Sequence, residues 1–167
     1  LPPRIVFVGG GYIAFEFAHV AARAGVDVTI LHRGARPLEA FDPDLVDLLV
    51  KRTRELGIRV ELGVDVRAVE SGGGRLVVRG TRGGEEARFE TDLAVHSAGR
   101  APELDDLDLE AAGVKREKRG VVVNEFLQSV SNPAVYAGGD AAASGPSLTP
   151  KADHDAAVLT TNLLEGN

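Results

Sequence analysis

The chain has 167 residues, enough for one ordinary domain or one and a fraction. With 44% hydrophobic and 26% charged residues it reads as a globular protein, and a net charge of −6 argues against nucleic acid as a main partner, because phosphate binding needs a basic face. It contains no cysteine, which excludes thiol or disulphide chemistry and a cysteine-ligated metal, and no apolar run approaches the roughly 20 residues of a membrane span.

Methionine is also absent and the chain opens Leu1-Pro2-Pro3, so we read it as a piece of something longer; no signal peptide is recognised, and a cytoplasmic location is expected. With six phenylalanines, two tyrosines and no tryptophan, the core is expected to be mostly Val, Leu, Ile and Ala.

In chain order, Arg4 to Val8 reads as a strand buried on both faces, and Tyr12 to Arg23 as a helix with Gly25 at its C-terminal cap. Asp27 to Leu31 is a second strand, followed by a basic linker, His32 to Phe41. Asp42-Pro43 supplies an N-cap and a proline at the first helical position; the helix that follows carries Leu45, Leu48, Leu49 and Leu56 at helical spacing and ends at Gly57. Arg59 to Leu62 is a third strand. Asp65 to Ser71, Arg75 to Arg79 and Glu85 to Glu90 then form an antiparallel meander with glycine turns, and Leu93 to Ser97 returns to a buried strand. Beyond it we expect a short helix near Leu107 to Ala112, strands at Val121 to Val123 and Val135 to Ala137, and a helix from Pro150 towards Leu164. The fold class is α/β: a Rossmann-like parallel sheet of about four strands, with helices on one side and the three-stranded meander on the other.

Gly9-Gly10-Gly11-Tyr12-Ile13-Ala14 fits G-x-G-x-x-A between a strand and a helix. Gly9 suits the tight turn, Gly11 leaves room for a diphosphate, and Ala14 lets the helix lie close on the strand. The helix N-terminus then faces the phosphates with free N–H groups. At the end of the second strand an NAD site usually carries Asp or Glu for the ribose 2′-OH. Here His32 and Arg33 stand in its place and Arg36 follows. Guanidinium groups suit a 2′-phosphate, which favours NADP over NAD; the other reading is that both arginines only coat a solvated loop. Gly138-Gly139-Asp140, read alone, is a surface turn as readily as a site. The histidines have no metal-ligand spacing. We place His19 on a helix surface, His96 in packing, and Asp153-His154-Asp155 at a solvated helix start.

Several motifs in order, GGGYIAFEFA at 9–18, FDPDLVDLL at 41–49, SAGRAPE at 97–103, VYAGGDAA at 135–142 and SLTPKA at 147–152, resemble the pyridine nucleotide–disulphide oxidoreductases. These are flavoenzymes such as glutathione reductase, dihydrolipoamide dehydrogenase and mercuric reductase, and the resemblance covers essentially the whole chain. It implies an NAD(P)-binding domain at 1–100 and the second half of an FAD domain at 101–167. The first FAD half with its cysteine pair, and the C-terminal domain with its catalytic His–Glu pair, are not in this chain. The parent is expected to be a homodimer that passes hydride from NAD(P)H to FAD and on to a disulphide-like acceptor, and this chain alone is expected to be inactive. Residues 101–167 are expected to be a docked segment, part of a swapped dimer or an excerpt of a complete structure.

By the same resemblance, Gly9, Gly10, Gly11, Ile13 and Ala14 form the phosphate turn. Tyr12 matches an aromatic that shields the flavin, and Glu16 an acidic residue near the nicotinamide. Arg33 matches a 2′-phosphate reader, but the second reader falls at Glu39, the wrong charge unless Arg36 substitutes. Ala98 and Gly99 match the nucleotide-contacting end of the last strand. Gly139 and Asp140 match the motif that holds the FAD ribityl chain, and Leu148 and Thr149 the helix entry beside the flavin. The rival function is a flavin-free, non-catalytic NAD(P)H-binding module.

Overall fold

A computed structural model describes residues 1–166. The chain forms two compact units, Leu1–Gly99 and the segment from Arg100 onward. In the first unit, β1 (Arg4–Val8), α1 (Tyr12–Arg23), β2 (Asp27–His32), α2 (Pro43–Glu55) and β3 (Arg59–Leu62) follow in order. The meander β4 (Val64–Gly72), β5 (Arg75–Arg82) and β6 (Glu85–Thr91) comes next, then β7 (Leu93–His96).

The parallel sheet has the order β3-β2-β1-β7, and β4-β5-β6 form a separate antiparallel sheet. Successive side chains of a strand point to opposite faces, so β1, β2 and β7 each feed two cores. Ile5 and Phe7 of β1, with Val28 and Ile30 of β2, pack against Ala14, Phe15 and Ala18 of α1 and Val46 and Val50 of α2. Val6 and Leu31, on the opposite face, pack against Val64 and Val78 of the meander. The sheet thus lies between helices and meander, as its hydrophobic pattern predicts. Arg4 at the head of β1 donates to both oxygens of Asp92, at 3.0 and 2.9 Å, tying β1 to the turn before β7.

Helix α2 is capped by Asp42, whose carboxylate accepts from the backbone N–H groups of Asp44 (3.0 Å) and Leu45 (3.1 Å). Its buried stripe is Val46, Val50 and Thr53, while Leu45 and Leu48 are exposed. The leucine spacing therefore marks the shoulder of the helix, and β-branched residues form its core face.

The second unit departs further from expectation. In place of the helix expected near Leu107 to Ala112, a 3-10 turn, Asp105–Leu107, is ended by Asp108 in the left-handed region (φ 45), which an α-helix does not tolerate, and turns follow. The strands expected at 121–123 and 135–137 shrink to β8 (Arg116–Glu117) paired with β9 (Gly120–Val121) and to isolated bridges such as Gln128–Tyr136. Asparagine side chains hold turns in the chain between these two segments. Asn124 Oδ1 accepts from Phe126 and Gln128 N–H, and Asn132 Oδ1 from Ala134 N–H, each at 3.0 Å. Leu104, Val114, Val121, Ala137 and Ala142 form this unit's small core, and α3 (Thr149–Glu165) closes the chain.

Candidate dinucleotide-binding site

The glycine turn sits where β1 and β7 end side by side, the reversal point in strand order at which open α/β sheets bind ligands. Gly9 has φ +116, and a Cβ there would lie 2.3 Å from the Ser97 carbonyl oxygen. The β7 end is fixed in turn by Ser97, whose N–H and Oγ–H both donate to the Val8 carbonyl, at 2.8 and 3.0 Å. Gly9 N–H donates to the Leu31 carbonyl at 2.8 Å, joining the turn to the end of β2. Gly11 differs: its backbone is extended (φ −86, ψ 175), and a Cβ there would meet nothing within 4 Å. It is the N-cap of α1, with no side-chain cap and no acidic residue in the first turn. Ala14 is fully buried against the sheet, and Ile13 is half-buried. Open space thus faces an uncapped helix N-terminus, an arrangement suited to an anion.

The loop after β2 is pinned to the turn. Leu38 N–H donates to the Gly10 carbonyl at 2.9 Å. The His32 ring lies beneath Gly10, where a Cβ would approach it to 2.8 Å, and its Nε2 bonds the Arg36 carbonyl at 2.9 Å. His32 therefore supports the loop. Arg33 is exposed and Arg36 half-buried, and among the described residues no carboxylate pairs with either. Glu39 folds back over the same loop, 3.7 Å from His32 Nε2. Ala98 and Gly99 (φ +112) are exposed beside Gly9. The anchoring part played by Leu38 carries no sequence signal, because it acts through a backbone contact, whereas Ser97 adds its hydroxyl to one.

Tyr12 and Glu16 open onto a groove of about 600 Å³ between α1 and α2, lined also by Leu38, Phe41, Leu45 and Leu49. His19, expected on the helix surface, is half-buried beneath it and joins the two helices. Thr53 Oγ1 donates to the Leu49 carbonyl at 2.7 Å, so it accepts from His19 Nε2–H at 2.8 Å. That leaves Nδ1 to accept from Arg23 at 3.4 Å, which defines a neutral imidazole. Burial, then the nearby charges of Arg23 and Arg52, lower its pKa from the usual 6.5. His96 is exposed and not packed.

In the second unit Gly138-Gly139-Asp140 opens the short 3-10 turn Gly139–Ala141. It is no free surface turn. A Cβ on Gly138 would lie 2.7 Å from Leu159 and 3.1 Å from Asp155 Cβ, and Gly139 has φ +60. Asp155, expected in solvent, is 5% exposed and accepts from Gly139 N–H at 2.8 Å and from Lys151. Burial pushes the Asp155 carboxyl pKa up, but the hydrogen bonds from Lys151 and Gly139 outweigh it and hold the group below the usual carboxylate value. The Asp140 carboxylate is partly exposed and lies 3.2 Å from Arg100. Leu148 and Thr149, both exposed, begin α3. Among the described residues no cluster of His, Cys, Asp or Glu could hold a metal, and no helix is long and apolar enough to cross a membrane.

A family model for pyridine nucleotide-disulphide oxidoreductases matches residues 1–156. The chain belongs to this family. A glutathione reductase of Burkholderia cepacia is 37% identical over 165 residues, covering 99% of this chain and 36% of the relative. A mercuric reductase of Staphylococcus aureus is 33% identical over 165 residues, covering 98% and 30%. The chain thus spans about a third of the length of the curated relatives it matches. Among solved structures, an engineered water-forming NADPH oxidase bound to NADPH superimposes with a TM-score of 0.81 at 26% identity, over 98% of this chain and 37% of the other.

Proposed function

We propose that residues 1–99 are the NAD(P)H-binding domain of a flavin-dependent oxidoreductase, and that the segment from Arg100 onward is part of its FAD domain. Gly9 to Ala14, with Ala98 and Gly99, hold the dinucleotide diphosphate; Arg33 and Arg36 face the 2′-phosphate of NADP(H), with His32 supporting their loop. Tyr12 and Glu16 stand at the nicotinamide end. Gly139, Asp140, Leu148 and Thr149 contribute to the flavin site. Bound NAD(P)H supplies a hydride that FAD accepts, and the electrons pass on to a disulphide-like acceptor. The chain's own part is to bind and orient; without the thiol pair and the acid–base pair it is inactive alone. The parent acts as a homodimer.

One observation carries this reading: Gly9 is locked against Ser97 while the space over Gly11 is open beside the uncapped N-terminus of α1. The loop's guanidinium groups, which no carboxylate pairs with among the described residues, support NADPH over NADH, and Glu39 opposes them. A charge-assisted phosphate contact is worth about 1.5–3 kcal/mol, roughly tenfold or more in affinity. Parallel calorimetric titration with NADPH and NADH at low salt is the test. NADPH is expected to bind at least about tenfold more tightly. Equal affinities would remove the role of Arg33 and Arg36, and no binding of either would remove the nucleotide site.

A further inference from the structure

Gly139 is gripped at both of its backbone groups by one helix. Its N–H donates to Asp155 Oδ2 at 2.8 Å, and its carbonyl accepts from Lys151 Nζ at 3.2 Å. Lys151 and Asp155 lie one turn apart on α3 and also pair with each other. The pair is enclosed, with side chains 15% and 7% exposed. Replacing a buried ion pair by apolar residues is often neutral or stabilising, so stability alone is weak grounds for such a pair. What it does achieve is geometric. Lys151 and Asp155 fix the peptide groups on either side of Gly139 Cα, Ala152 approaches the position of a Gly139 Cβ to 3.3 Å, and the next side chain is Asp140. The carboxylate of Asp140 is left partly exposed, 3.2 Å from the exposed Arg100 guanidinium, while the enclosed charge of Asp155 is neutralised by Lys151.

We propose that Lys151 and Asp155 are positioning residues that hold the Gly139 peptide so that the Asp140 carboxylate meets the hydroxyl groups of the flavin's polyol chain. This rests on the flavin reading given above. Neither residue touches the ligand; both act through Asp140.

The test is a double-mutant cycle in the full-length flavoenzyme, with FAD affinity read by fluorescence titration and NADPH affinity as a control for folding. D140N is expected to weaken FAD binding roughly tenfold or more, the loss of a charged acceptor. D155N is expected to weaken it by a similar factor, and D140N/D155N by no more than about twofold beyond D140N alone, since residues acting through one group are not additive. If D155N prevents folding, K151M takes its place in the cycle. In the 167-residue chain, hydrogen exchange at the Gly139 amide is expected to quicken about tenfold or more in D155N, as its charged acceptor is lost. Multiplicative losses, or an unchanged FAD affinity in both D155N and K151M, overturn the positioning role while leaving the flavin site standing. An unchanged affinity in D140N overturns the flavin reading itself, and the positioning role with it.

Discussion

Two glycines two residues apart do different work, and substitution separates them. Gly9 has φ +116 and backbone against the place of its missing Cβ, whereas Gly11 has an ordinary extended backbone and empty space there. G9A therefore combines a strained backbone with an overlap onto Ser97 and is expected to cost about 3 kcal/mol or more in denaturant unfolding. G11A is expected to change stability by less than about 1 kcal/mol yet to lower NADPH affinity at least about tenfold in calorimetry, because its methyl fills the space facing the helix N-terminus. Both glycines were legible in the sequence, since G-x-G-x-x-A encodes a backbone requirement in residue type. Asp155 was not: a charged residue in the first turns of a helix reads as solvated, and only the fold shows that Gly139 needs it.

Helix α2 shows where periodicity misleads. Leu45, Leu48 and Leu49 suggest the buried face, yet Leu45 and Leu48 are 67% and 64% exposed while Val46 and Val50 are buried at 3% and 8%. Hydrophobicity alone does not rank neighbouring apolar stripes; the sheet surface beneath the helix does. V50A is expected to cost about 2 kcal/mol from lost burial and the cavity left behind, and L48K less than about 0.5 kcal/mol, both read by urea denaturation. The contact between α1 and α2 adds a pH dependence through His19. Its pKa is lowered in the folded chain, so below 6.5 the unfolded chain binds more protons than the folded one. Stability from this group is complete above 6.5 and declines as the pH falls from there through the lower folded value. The H19Q variant, with no titrating group, is expected to lose that part of the slope between pH 7 and pH 5 in thermal melts. An unchanged slope would exclude His19 as its source.

At the scale of the whole chain, the two units differ in how much of them could be read in advance. In the first, the central strands are buried on both faces and the meander covers one of them, and the expected order of elements is the order found. In the second, the expected strands at 121–123 and 135–137 hold only short or single pairings, and asparagine-held turns lie between them. A strand is a property of its partners, which a local pattern does not supply. The cores divide in the same way: the clusters on both faces of the parallel sheet draw only on residues before Gly99, and the small cluster around Leu104 and Val121 only on residues after it. Every residue assigned to the dinucleotide also lies within Leu1–Gly99. That segment expressed alone is therefore expected to fold cooperatively and to bind NADPH within about twofold of the full chain, a difference of only about 0.4 kcal/mol. Circular dichroism melts and calorimetric titration of the two lengths decide it. A folded segment with much weaker binding would mean that residues after Gly99 complete the site, and an unfolded one that the two faces of the sheet do not suffice to stabilise it.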